Sequence, residues 1–208
     1  MPKLSKSEIE TYQNKGYVIP DYKVPENVLR SLKEALEETL NINANIRPEQ
    51  LASIHTEKSS ADDTVGHSTF LKTALNSELV DLVSSVLGDN IIMWGVQVFC
   101  KPGVDGMEVP MHQDGQYWPI RPLKTCTMWL AIDDADRDNG CLQVIPGSHL
   151  GSIHYGHQKE TRDKLVLNQS IKDPRLENAE FDYIELKAGQ LSPVSYTHLR
   201  AHETRGNL

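Results

Sequence analysis

At Gly88 the sequence changes period. Before it, apolar residues recur at helical spacing; after it come short β-branched and aromatic runs separated by turn residues. Ser5 and Glu8 form a capping box for "SKSEIETYQNKG", which ends at Gly16. "GYVIPDY" reads as a short extended piece. Pro25 opens "PENVLRSLKEALEETL", where Val28, Leu29, Leu32, Leu36 and Leu40 share one helical face, read as a packing face. A third helix, "NSELVDLVSSVLG", runs from the cap Asn76 to Gly88. Beyond it, "NIIMWGVQVFC", "TCTMWLAID", "GCLQVIP" and "DYIELKAG" are predicted strands, and Asn139-Gly140 predicts a tight turn. Helices followed by at least four short strands imply an α+β fold built on an antiparallel sandwich or barrel.

The 208 residues suit one domain with a sizeable core. A formal net charge of −8 disfavours a nucleic-acid backbone or an anionic membrane as the main partner. The start, "MPKLSKSEIETYQ", has no apolar segment of signal-peptide type. The longest apolar run, "IIMWGVQVFC", is broken by Gly95 and Gln97, so no membrane span is expected. Cys100, Cys126 and Cys141 make no C-x-x-C pair and are read as reduced thiols of a cytoplasmic protein. Gly-rich phosphate loops are absent. The polar segment 41–66, with "TEKSSADDTVGHS", is read as a mobile loop and candidate lid.

The end of the chain breaks the pattern. Where a strand should follow "KAGQLS", the chain turns polar and rich in His and Arg. "VSYTHLRAHET" back-translates to the end sequence of a transposon-based DNA-sequencing adapter. Residues 194–208 are therefore read as a non-native segment and residues 1–193 as the domain, with its final strands missing.

The chemistry gathers at "VPMHQDGQYWPIRP", residues 109–122. With eight His in the chain, roughly half an H-x-D match is expected by chance, so His112-Gln113-Asp114 needs its context. That context is a turn-rich stretch between two predicted strands, the kind of rigid-scaffold loop where ligands sit. An imidazole and a carboxylate two residues apart can converge on one ion if the backbone bends, and a third donor would complete a 2-His-1-carboxylate site for Fe(II).

"MHQDGQYWPIRP", followed by "CTMWLAIDDADRDNGCLQVIPGSH", resembles the core of the phytanoyl-CoA dioxygenase family of Fe(II)- and 2-oxoglutarate-dependent oxygenases. "LSKSEIETYQNKGYVIPDYKVPENVLRSL" resembles the family's amino-terminal helical region, so the likeness covers most of residues 5–192. The resemblance implies a double-stranded β-helix, a cupin-like jelly roll, preceded by helices. It implies that His112 and Asp114 are iron ligands and that Gln97, Gln113 and Trp129 line the 2-oxoglutarate pocket. For Gln97 and Trp129, ordinary strand packing is the competing reading. Tyr117 and Trp118 either wall the substrate side or pack locally. His149, in "PGSH", is read as structural. The family's second histidine ligand and its 2-oxoglutarate-binding arginine lie beyond the strand that "GQLS" begins. His198 and His202 fall within the adapter-like stretch, and their positions are read as accidental.

The activity so implied is hydroxylation of a small molecule, lipid-like or carrier-linked, with dioxygen and 2-oxoglutarate as co-substrates. The chain as written is expected to be an inactive fragment, since two ligands hold Fe(II) loosely. The alternative from another class is a non-catalytic jelly-roll binding protein.

Overall fold

Helix ends follow the side chains beside them. In the computed structural model, which describes residues 3–58, 63–118, 120–122 and 124–202, Ser5 and Glu8 close the capping box of α1 (Lys6–Lys15). Gly16 ends that helix at φ 84°. Glycine is required there on two counts, conformation and space, because a Cβ would sit 2.3 Å from Cδ2 of His198. Pro25 precedes α2 (Glu26–Ile42), whose Leu29, Leu32, Ala35 and Thr39 are buried. Asn76 caps α4 (Ser77–Leu87) by accepting from the Glu78 N–H. A helix that the periodicity passed over, α3 (Ser68–Ala74), buries Phe70 and Thr73; at seven residues it is too short to show an apolar stripe.

The strands are β1 (Val109–His112), β2 (Cys126–Leu130), β3 (Leu142–Val144), β4 (His157–Lys159), β5 (Gln169–Ile171), β6 (Asp182–Ile184), β7 (Leu191–Ser195) and β8 (Arg200–His202). All pair antiparallel, in a four-stranded sheet of order β1-β8-β3-β6, the pair β2-β7, and the hairpin β4-β5. Leu142, Val144 and Ile184 from the larger sheet meet Val194 of β7, together with Tyr17, Ala131 and Leu186, in one buried cluster. Side chains from two sheets thus share a core, as a sandwich requires. The helices pack outside it: Leu29 of α2 and Leu79 and Leu82 of α4 cluster with Leu191. The three cysteines are free thiols. Among the described residues, no helix is long and apolar enough to cross a membrane.

Three expectations are corrected. "NIIMWGVQVFC" is not a strand: Ile92 is 94% exposed, Trp94 is 63% exposed, and among the described residues its one ladder contact is an isolated bridge from Gln97 to Ala52. Its β-branched composition satisfied propensity, but among the described residues no partner strand lies beside it. The segment 41–66 is anchored rather than wholly mobile, because Glu49, Leu51 and Ile54 are fully buried. Part of the proposed loop, residues 59–62, lies outside the described residues.

The third concerns the final strands, which were expected to be missing. β7 pairs with β2 over five residues, and β8 lies between β1 and β3. Val194, Tyr196, His198 and Leu199 are at most 1% exposed. Polarity does not bar a segment from a core when its polar atoms find partners. Here His198 Nε2 reaches the Lys15 carbonyl at 2.7 Å, and the Ser148 hydroxyl lies 3.1 Å from Nδ1. The described part of this segment, 194–202, therefore belongs to the fold; residues 203–208 lie outside the described residues.

Candidate functional site

β1 ends at His112, and the chain turns directly into a 3-10 turn beginning at Asp114. Gln113 is the pivot. Its fully buried side chain donates to the carbonyls of Thr197 at 2.6 Å and Ile153 at 2.9 Å, and accepts from the Tyr155 N–H at 2.8 Å. Its own N–H donates to Nε2 of His157 at 3.1 Å, while Nδ1 of His157 lies 3.0 Å from the Tyr155 carbonyl. With its side-chain amide satisfied on both ends, Gln113 clamps the bend that separates the flanking residues.

That bend brings His112 and Asp114 together. Nδ1 of His112 lies 2.9 Å from the Pro110 carbonyl, so this nitrogen is assigned the proton, and Nε2 faces Oδ1 of Asp114 at 3.4 Å. Both residues are about 5% exposed. An imidazole nitrogen and a carboxylate oxygen pointing at one another in a dry site call for a proton or a cation between them.

The other oxygen of the carboxylate meets a cation, Arg200. Its Nη2 pairs with Oδ2 of Asp114, which also accepts from the Thr127 hydroxyl at 2.9 Å. Arg200 sits on β8 directly across from His112 on one side and from Val144 of β3 on the other, and is 6% exposed. Burial alone would push the Asp114 carboxyl up. The Arg200 guanidinium, then His112 and Thr127, more than offset that and hold it well below the usual carboxylate range.

The other expected positions distribute as follows. Trp129 packs on His202 at 4.8 Å between ring centroids and on Phe99 at 5.3 Å. His202 is 4% exposed, and burial drives its pKa well below that of a free imidazole. Gln97 is exposed, and its isolated bridge to Ala52 places it with the α2–α3 connection. The Tyr117 ring meets the edge of His112 at 6.1 Å and of His157 at 6.2 Å, so it walls the site. Trp118 stacks on Tyr196 at 5.8 Å, which is local packing. His149 lies 3.0 Å from the Gln13 carbonyl through Nε2 and stacks on His198, which is a structural role. His198 itself points to α1 and away from Asp114. Arg200, Thr127 and His157 were not singled out from sequence; each reaches the site through long-range pairing that leaves no local signature.

His112 and Asp114 bring one imidazole nitrogen and one carboxylate oxygen within 3.4 Å of each other. Among the described residues no group of three or more His, Cys, Asp and Glu side chains is placed to hold a metal ion. With no third donor in place and a guanidinium paired to Oδ2 of Asp114, the residues present do not fit a complete Fe(II) site.

The family model described as Phytanoyl-CoA dioxygenase (PhyH) matches residues 12–193. A phytanoyl-CoA dioxygenase of Arabidopsis thaliana is 24% identical over 230 residues, covering 92% of this chain and 80% of that protein. Phytanoyl-CoA dioxygenase 1 of Oryza sativa subsp. japonica is 31% identical over 134 residues, 61% of this chain but only 46% of its own length. The crystal structure of EctD from S. alaskensis with 2-oxoglutarate and 5-hydroxyectoine superposes with a TM-score of 0.72 at 16% identity, covering 97% of this chain and 71% of that one. That likeness confirms the jelly-roll fold with its preceding helices. By the match over residues 12–193, which takes in α2 to α4, the His112–Asp114 bend and β1 to β6, this chain belongs to the phytanoyl-CoA dioxygenase family.

Proposed function

We propose that the fold carries an Fe(II)- and 2-oxoglutarate-dependent dioxygenase that hydroxylates a small molecule, with His112 and Asp114 as its metal-binding pair. The observation that carries this reading is the convergence of two buried donor atoms at the end of β1, held by the Gln113 clamp. Gln113 contributes by fixing the backbone between the ligands, and Trp129 by walling the site through His202. Gln97, being exposed, is assigned to the cofactor side by family likeness alone. The net charge of −8 favours a small molecule over nucleic acid as substrate. With Arg200 in place, the chain is expected to be silent.

The test is conversion of 2-oxoglutarate to succinate without added substrate, by the full chain and by Arg200→His, each supplied with Fe(II). Succinate formed by either protein and abolished by His112→Ala supports the reading. No succinate from two folded proteins sinks it. A second reading, a non-catalytic jelly-roll binding protein, is favoured by one observation, the closure of the site by the buried Arg200–Asp114 pair.

A further inference from the structure

We propose that Arg200 is a built-in cation that takes the metal's place, so that this chain carries a self-blocked metal site. The inference rests on the reading of His112 and Asp114 as a metal-binding pair. It says something that reading does not: the pair is already neutralised from within the chain.

Three observations carry it. First, the Arg200 guanidinium is bound to the same carboxylate that a metal would need, and Asp114 has little left to offer: Oδ2 is shared between Arg200 and Thr127, and Oδ1 faces His112. Second, Arg200 cannot easily leave. Its strand is central in the sheet, with His112 across from it on β1 and Val144 across from it on β3, so its backbone is held from both sides. Third, the fit is imperfect in the way expected of a stand-in. Among the described residues, Nη1 of Arg200 is buried with no hydrogen-bond acceptor, although a buried guanidinium normally satisfies all its donors. A divalent ion entering between His112 and Asp114 would meet a fixed positive charge at contact distance in a desolvated site, where like charges repel strongly. It would have to share the carboxylate with that charge or drive a buried arginine out of the sheet.

Replacing the guanidinium by a neutral donor should reverse the situation. Residue 200 is the direct cross-strand neighbour of His112, and such pairs have their Cβ atoms about 5 Å apart, within reach of one ion for two imidazoles. Arg200→His therefore supplies a third donor and removes the competing charge in one change.

The experiment is a Co(II) titration of the purified full chain and of Arg200→His, followed by the cobalt absorption bands and by calorimetry, with circular dichroism to show that both are folded. The expected result is one saturable cobalt site in Arg200→His, lost on adding His112→Ala, and binding on the order of 100-fold weaker or absent in the unaltered chain. Saturable binding by the unaltered chain that is as tight as in the variant, and that His112→Ala abolishes, overturns the proposal. So does a folded Arg200→His that binds no cobalt. Should Arg200→His fail to fold, the titration of the unaltered chain still decides: no saturable site supports the proposal, and a His112-dependent site sinks it.

Failure here is distinguishable from failure of the oxygenase reading. Cobalt binding by Arg200→His with no conversion of 2-oxoglutarate leaves the blocked site standing and removes the oxygenase. Conversion by the unaltered chain does the reverse.

Discussion

Asp114→Asn is expected to destabilise the chain by about 3–5 kcal/mol, the cost of breaking a buried ion pair from one side. The substitution keeps shape and removes only charge. It leaves the Arg200 guanidinium, 6% exposed and already short of one acceptor at Nη1, in a site with no counter-charge. Asp114, His112 and Gln113 beside it are all buried, so water offers the guanidinium little compensation. For a domain of this size the loss corresponds to a fall in Tm of roughly 6–20 °C. The double variant Asp114→Asn/Arg200→Met should recover part of the loss, since it removes the unpaired buried charge that the single variant leaves. Urea unfolding of the two single variants and the double variant gives the coupling directly. Additive losses would show that the pair does not hold β8 to the turn after β1.

The second large effect is a loss of stability in acid, centred on His198. Burial is the main cause that pushes its pKa down, to about 4; the carbonyls of Lys15 and Leu199 pull it back up, and the nearby His149 and Arg200 push it further down. A free histidine titrates near 6.5, so as pH falls through that value the unfolded chain takes up a proton that the folded chain refuses. Stability is therefore full above about pH 6.5, declines toward pH 4, and levels off once folded His198 also protonates. A gap of about 2.5 units corresponds to roughly 3 kcal/mol. His202, whose pKa is depressed by its own burial, adds a contribution of the same sign. The packing explains why the proton is refused. Nε2 is assigned as donor to the Lys15 carbonyl, and Nδ1 accepts from the Ser148 hydroxyl, which in turn accepts from the Leu199 N–H at 2.9 Å. A proton on Nδ1 would displace the Ser148 donor and charge a fully buried ring, with only the Leu199 carbonyl at 3.2 Å to accept it. Denaturant midpoints measured at pH 7 and pH 4.5 check this, and His198→Gln should flatten the difference while lowering stability at both. An unchanged slope in the variant would move the acid sensitivity to another group.

How much of this was legible in the sequence depended on range. The Ser5–Glu8 capping box, the Asn76 cap and the Gly16 stop each involve residues within four positions of one another, and each stands where the sequence places it. The His112–Asp114 pair is likewise local, two residues apart around a bend. The strand assignment of "NIIMWGVQVFC" failed because a strand exists only beside a partner, and partners are not encoded in the run itself. The dismissal of residues 194–202 from the fold failed for the same reason in reverse. Polar residues at His198 and Arg200 looked unfit for a sheet until Lys15, Ser148 and Asp114 appeared opposite them.

The sequence by itself determined α1, α2, α4 and the α+β class from spacing along the chain, and pointed to the family and to His112 and Asp114 through the motif it resembles. Only the tertiary structure decided which charge meets Asp114. A single antiparallel register sets Arg200 across from His112, 88 positions apart in sequence. A register slip of one residue would have turned that side chain to the other face of the sheet. Periodicity describes one strand at a time, and the charge that meets Asp114 comes from another.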